Sequence, residues 1–438
     1  MLIRNARIVT LDGANRVLDS GVVQVCGDGS IGFVGADAPA LNGETVIDAQ
    51  GKLLMPALIN CHTHLYSTLA RGLALSGRPA ANFRQILQKL WWRLDSALDA
   101  EDIYYGALAG LMDSAKAGVG TLFDHHSSPN ACCGSLDILE RAFREVGLRG
   151  LLCYETSDRN GPAKAAEAIA ENIRFMEKAG RDDGTIGATF GLHASFTLSD
   201  RTMRRCVEAG RALGSGFHIH VAEDNCDVKH ARARFGKSPV QRLCDLGVLG
   251  DKTIAAHCVH VSAADMARLA RRGVNVVHNP QSNCNNAVGI ADVPALLRRS
   301  VLVGLGSDGY SPRMWEEFIA ACHVQKLRSG DARAGAGEAY ALALLNNREI
   351  VRKMWGWELG RIERGARADL MLVDYHPPTP LCGENLFGHM LFGIAHAAVD
   401  SLMVNGQFVV QNHRCVAVDE AAVAERAAAR ARKLWQRL

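Results

Sequence analysis

Apolar and polar positions fall into three regimes along the chain. Residues 1 to about 52 (LIRNARIVT, GVVQVCGDG, SIGFVGA, ETVIDAQGK) alternate with period two and are punctuated by Gly and Asp. That pattern predicts short strands joined by tight turns. From Leu53 the period changes. Eight short apolar runs follow: Leu53–Ile59, Gly120–Phe123, Arg149–Tyr154, Ile186–Leu192, Gly216–Ile219, Thr253–Ala256, Val274–Val277 and Val301–Gly306. Amphipathic helical stretches such as EDIYYGALAGLMDSAKAG, AAEAIAENIRFMEKAG, DRTMRRCVEAGRALG and SAADMARLARRG fill most gaps between them. Repeated strand–helix units imply a parallel sheet, and eight of them over about 300 residues fit a closed (β/α)8 barrel, with a doubly wound open sheet as the rival. Residues 338–358 read as helix. IERGARADLMLVDYHPP and DSLMVNGQFVVQNHR then return to strand-and-turn character.

The expected organisation is therefore α/β: a (β/α)8 TIM-like barrel at 53–365, inserted in a composite β-sandwich made of residues 1–52 and 366–415. A solvated terminal helix at 416–438 follows, from EAAVAERAAARARKLWQRL.

Composition changes this picture little. The chain has 438 residues, 48% hydrophobic and 22% charged, enough for a large core and a smaller second domain. A net charge of +3 is too small to argue for nucleic acid or an anionic membrane as partner. The start, MLIRNARIVTLDG, lacks a long apolar h-region, and no uncharged run is long enough to span a bilayer. Thirteen scattered cysteines without a Cys-x-x-Cys read as reduced thiols and a cytoplasmic location. A symmetric homo-oligomer, a dimer by default, is the expected assembly.

Chemistry enters at the strand ends. His62 and His64 follow the first run; two residues apart on a strand, they face one side together. Asp124-His125-His126 follow the second run, Glu155 with Asp158 and Arg159 the third, and His193 the fourth. His218, His220 and Glu223 mark the fifth, His257 the sixth, His278 and Asn283 the seventh, and Asp308 the eighth. A barrel gathers its active site at the C-terminal ends of its strands. One such histidine is usually a satisfied core residue; so many together are hard to explain as structure, because each buried imidazole needs partners. Imidazole and carboxylate together suit a divalent metal.

Competing motifs fail. Gly304-Leu305-Gly306-Ser307-Asp308-Gly309 matches the dinucleotide fingerprint, but it comes late in the βα series and sets Asp308 beside the pyrophosphate. Gly236-Lys237-Ser238 resembles the end of a P-loop, but Ala231 stands where the first glycine belongs. His-Glu-x-x-His, Gly-x-Ser-x-Gly and the Pro-Cys-x-x-Cys base-deaminase signature are absent.

LMPALINCHTHL, HIHVAED, AHCVH, NPQSN and GLGSDG, in this order, resemble the amidohydrolase superfamily. The branch is that of the metal-dependent aminohydrolases, related to guanine, cytosine and S-adenosylhomocysteine deaminases and triazine hydrolases. LWWRLDSALDAEDIYYGAL, DHHSSP, CYETSDRNG and FGHMLFG are similar to the SsnA group within it. The resemblance implies one divalent metal ion per chain, zinc first and iron as the alternative, held by His62, His64, His220 and Asp308. It implies Glu223 as proton shuttle, His257 as the histidine beside the water and Asp308 as the water's base. It places His193 near the substrate. Binuclear members carry a carboxylated lysine on the fourth strand; IGATFGLHAS has none, which implies a mononuclear site. The activity implied is hydrolytic deamination of a small amino-substituted nitrogen heterocycle such as a purine, pterin or pyrimidine. Opening a cyclic amide, or displacing chloride or an alkylamine, is the alternative on the same site. His125, His126, Glu155, Arg159 and Trp92, on loops or helix starts above the barrel, are the candidate substrate contacts. Of Trp91 and Trp92, at least one is expected to pack a helix against the barrel.

Overall fold

The computed structural model describes residues 1–40, 43–179 and 184–438. Its first five strands are β1 (Leu2–Val9), β2 (Val17–Val25), β3 (Ile31–Gly35), β4 (Val46–Asp48) and β5 (Leu53–Pro56). The barrel strands follow: β6 (Leu58–Thr63), β7 (Val119–His126), β8 (Arg149–Tyr154), β9 (Ile186–Ala188), β10 (Phe190–Ala194), β11 (Phe217–Val221), β12 (Ile254–His257), β13 (Asn275–His278) and β14 (Leu302–Leu305). The last four are β15 (Leu370–Val373), β16 (Val399–Val404), β17 (Gln407–Gln411) and β18 (Arg414–Cys415).

The two ends of the chain meet in one sheet of order β18-β17-β16-β15-β5-β1-β2-β3, with β4 paired to β1. It has its own core, built on Ile3, Ile8, Val23, Ile31, Leu54, Leu370, Leu372 and Met403. Here the expected first barrel run divides. Leu53–Ile59 is two strands: β5 pairs antiparallel with β15 and parallel with β1, and only β6 joins the barrel. The apolar run hides the break because both strands are fully buried, so the side-chain pattern does not change where the chain leaves one sheet for the other. Arg149, buried at the start of β8, ties barrel to sheet: its Nε and Nη2 donate to the Asp369 carboxylate at 2.7 and 3.2 Å.

The barrel strands are parallel, in the runs β6-β7-β8-β9 and β10-β11-β12-β13-β14. The fourth position is split: β9 pairs with β8, and β10 with β11. Between β14 and β6 the described residues make one bridge, Thr63 to Asp308. The Ser307 and Asp308 N–H groups both donate to the His62 carbonyl at 2.9 Å, and side chains add to the clasp. Asn347 donates to the carbonyls of Ile59 (2.7 Å) and Leu305 (2.9 Å) and accepts from the Leu305 N–H (2.7 Å). The amide of Asn60 donates to Ser307 Oγ at 2.8 Å. Gly306 permits the approach: a Cβ there would stand 2.8 Å from the His62 carbonyl.

The expected helices form where capping and apolar spacing agree. Ala100–Lys116 begins on a capping box in which Asp99 and Asp102 each accept the other's backbone N–H, and buries Ile103, Ala107 and Leu111 on one stripe. The 338–358 stretch is Ala336–Trp355, with a wider π turn at Ala341–Asn346 that sets Asn347 over the seam. The terminal helix, Glu420–Trp435, is not simply solvated. Val423, Ala427 and Leu434 are buried, Trp435 Nε1–H donates to the Leu69 carbonyl at 2.7 Å, and Arg430 binds Asp99, Glu101 and Asp102. Its face of Val423, Ala427, Arg430 and Leu434 docks on Ala100–Lys116, which a composition-based reading of the segment overlooks. No helix among the described residues is long and apolar enough to cross a membrane.

Candidate active site

The strand-end histidines converge. His62, His64, His125 and His220 offer ring nitrogens all within 4.8 Å of one another, and the ring nitrogens of His62, His220 and His257 lie equally close together with a carboxylate oxygen of Asp308. His64 Nε2 lies 3.0 Å from Asp308 Oδ1 and 3.1 Å from His220 Nε2; His62 Nε2 lies 3.4 Å from the same oxygen. The backbone sets the tautomers. His64 Nδ1–H donates to the His125 carbonyl (2.5 Å) and His220 Nδ1–H to the His193 carbonyl (2.8 Å). Both Nε2 lone pairs therefore point at each other and at a carboxylate, and His62 Nε2 is buried beside them without a partner. Acceptors crowded onto acceptors repel unless a cation sits among them, so this donor set fits a divalent metal. His218 supports from behind, with its Nε2 sharing a proton with His62 Nδ1 at 2.8 Å.

His257 differs. The side-chain amide of Asn283 donates to its Nδ1 at 2.8 Å, leaving an Nε2–H that faces Glu223 Oε2 (3.6 Å) and Asp308 Oδ2 (3.9 Å). His257 and Asp308 both hold left-handed backbone, φ 73 and 56, rare for such residues and common at functional sites. Ser282 donates its hydroxyl to Asp308 Oδ2, and the Asn286 amide donates to Glu223 Oε1 at 3.5 Å.

The electrostatics separate the two carboxylates. Burial pushes Asp308 up, but the adjoining His62, His64 and His257 rings hold it well below the usual carboxylate range. Burial, reinforced by the Asp308 charge, pushes Glu223 well above it. Burial lowers His62 and His257 to about 3. Burial raises Glu155 to about 8.

The cavity over this cluster is lined by His64, His193, His220, Glu223, Asp308 and Glu155 on its polar side, and by Phe83, Leu87, Trp91, Trp92 and Phe196 on its apolar side. Glu155 and His193 stand 3.6 Å apart. Three candidate substrate contacts lie elsewhere. His125 is behind the cluster, its ring stacked on His218 at 4.6 Å. Strand alternation turns the next residue, His126, to the other side, between Tyr66 and Tyr154, with its Nε2 2.9 Å from Ser128 Oγ. The Arg159 guanidinium pairs with Asp95 and Ser127 and stands 5.5 Å from the Trp92 ring, behind the cavity wall. Asp95, which does line the cavity, was not singled out from sequence, nor were Ser282 and Asn286. NPQSNCNN carries the last two, and its density of amide and hydroxyl side chains beside a candidate histidine is the one local signal.

Comparison with known proteins agrees with this geometry. Residues 53–409 match the model of the amidohydrolase family. The chain is 34% identical over 446 residues to the 5-methylthioadenosine/S-adenosylhomocysteine deaminase of Desulforudis audaxviator, covering 99% of each chain. It is 32% identical over 444 residues to the 5'-deoxyadenosine deaminase of Methanosarcina mazei, covering 100% of this chain and 99% of that one. Among solved structures, an adenosine deaminase from Xanthomonas campestris with bound zinc superposes with a TM-score of 0.87 at 25% identity, covering 100% of this chain and 98% of that one. The chain belongs to the amidohydrolase family. Its architecture is the (β/α)8 barrel with a composite β domain formed by the two ends of the chain.

Proposed function

We propose that this protein is a metal-dependent hydrolytic deaminase of a purine-type heterocycle, releasing ammonia. The observation that carries the reading is the convergence of His62, His64, His220 and Asp308 beneath a cavity that also receives Glu223 and His257. Relatives named as deaminases of adenine nucleosides support the substrate class.

His62, His64, His220 and Asp308 would hold one divalent cation, and a set of three imidazoles and one carboxylate favours zinc. Bound there, such an ion supplies Lewis acidity and makes hydroxide available from water near neutral pH. The chain's residues do the rest. Phe83, Leu87, Trp92 and Phe196 enclose the flat ring and exclude bulk water. Asp308, with Oδ2 held by Ser282, accepts the proton of the water that adds to the amino-bearing carbon. His257 aims its Nε2–H at the negative charge that grows on addition. Glu223, kept protonated by burial, donates to the adjacent ring nitrogen; as the intermediate collapses it takes back the proton of the added hydroxyl, while Asp308 passes the water's proton to the departing amine. Glu155 and His193 bond the ring's polar edge, and Arg159 holds Asp95 in the opposite wall.

The test is ammonia release from purified protein against adenine nucleosides, guanine, pterins, cytosine, hydantoins and chlorinated triazines. Turnover of an aminopurine with stoichiometric ammonia supports the reading. Ring opening or chloride release without ammonia overturns it.

A further inference from the structure

Three of the side chains assigned to the reaction are held from one short segment, the helix Pro280–Asn285 and its C-cap residue Asn286. Ser282 donates its hydroxyl to Asp308 Oδ2, Asn283 donates its amide to His257 Nδ1 at 2.8 Å, and Asn286 donates to Glu223 Oε1 at 3.5 Å. A shift of this helix therefore displaces the water's base, the charge-stabilising ring and the acid at once.

The helix does not hold itself in place. Its six residues fall well short of the length at which a helix is stable alone in water. Its N-terminus also lacks the usual cap. Asn279 stands at the N-cap, where an asparagine side chain ordinarily accepts a backbone N–H of the first turn. Here the side chain makes no such bond; its amide donates to the Val277 carbonyl at 3.3 Å and lies 3.4 Å from His257 Nδ1. Pro280, at the first helical position, has no N–H to offer.

The missing acceptor comes from a different helix. Glu317, on Met314–Ser329, accepts the Gln281 N–H on Oε2 at 3.2 Å. Its side chain is completely buried, lines no part of the catalytic cavity and has no ion-pair partner among the described residues. An acid so placed is costly unless it is neutral. Burial pushes its carboxyl well above the usual carboxylate range; the Gln281 N–H pulls the other way, and the Asp308 charge adds to the rise. A neutral carboxyl presents the same carbonyl acceptor as a carboxamide.

We propose that Glu317 is a positioning residue for this active site. It caps the helix Pro280–Asn285 from outside and, through Ser282, Asn283 and Asn286, sets Asp308, His257 and Glu223. This deepens the deaminase reading above and rests on it for the roles of those three side chains.

Glu317→Met keeps the bulk and removes the acceptor. Its kcat for ammonia release should fall about ten- to a hundredfold, the scale on which the outer partners of an active site act, with KM little changed. Glu317→Gln should keep most of the activity. Glu317→Met combined with Asn283→Ala should lose less than the product of the two single losses, because both changes loosen His257. The ¹⁵N signals of the His257 ring, identified by their loss in His257→Gln, should move in Glu317→Met and stay in place in Glu317→Gln. Should Glu317→Met not fold, Glu317→Asp, which keeps the carboxyl but withdraws it by one methylene, takes its place and is read the same way. A fall in Tm with kcat unchanged, failure of Glu317→Gln to keep activity, losses that multiply, or unmoved His257 signals each overturn the proposal. If the wild-type protein releases ammonia from none of the heterocycles tested, the deaminase reading fails on its own. The ring signals then decide: movement in Glu317→Met but not in Glu317→Gln supports the positioning role, and any other pattern overturns it.

Discussion

Glu223→Gln is the most informative single change. Gln keeps the shape of the side chain but cannot carry a proton, and general acid–base catalysis contributes roughly 10²–10⁴ in rate. The expected fall in kcat is therefore about 10²–10⁴, with metal content close to wild type because no ligand lone pair is removed. Steady-state ammonia release, together with elemental analysis of the same preparation, measures both. Near-normal turnover would refute the shuttle role, and loss of the ion would make Glu223 a ligand.

Other outcomes follow from the same geometry. His220→Ala should lose bound metal and activity together, read by elemental analysis and ammonia assay, and fully active wild-type protein should contain about one ion per chain. Arg159→Ala should raise KM more than it lowers kcat, and should cost about 3 kcal/mol in denaturant unfolding, because Asp95 is left buried without its cation. Arg430→Ala should cost about 1–3 kcal/mol, with Arg437 still serving Asp102. That deficit should also depend on pH. Burial pushes Asp99 up, but the Asp102 backbone N–H and the guanidiniums of Arg437 and Arg430 pull it below its ordinary 3.8. A lowered carboxyl stabilises the fold above the unfolded value and ceases to as pH falls through the folded one. The gap between Arg430→Ala and wild type should accordingly narrow below about pH 4, measured by unfolding at pH 7 and pH 3.5.

The sequence made the cluster legible because strand geometry is periodic. His62 and His64 had to share a face, and a barrel had to bring them to the same rim as His220 and Asp308. What stayed hidden depends on partners far away in the chain. Nothing near Arg159 points to Asp95, 64 residues earlier, and Asp158 or Glu155 were the nearer acids. His125 and His126 are equivalent in the sequence pattern; strand β7 runs through both and turns them to opposite sides. The break between β5 and β6 leaves no mark, because burial is continuous across it. The pairing of His257 with an asparagine amide, which decides its tautomer, likewise appears only when β12 and β13 lie side by side.

The seam between β14 and β6 also bears on how the protein is made. As the chain leaves the ribosome, the two histidines at 62 and 64 emerge long before Asp308, and Thr63 waits for a partner 245 residues later. Until Asn347 arrives to clasp Ile59 to Leu305, the first strand has one open side. Beside it, β5 still lacks β15, so an apolar edge stands ready for misplaced strands from neighbouring chains. If His62, His64, His220 and Asp308 hold an ion as proposed, its capture is a late event in biosynthesis, and a polypeptide interrupted before residue 308 would carry a rim of histidines with no acid to close it.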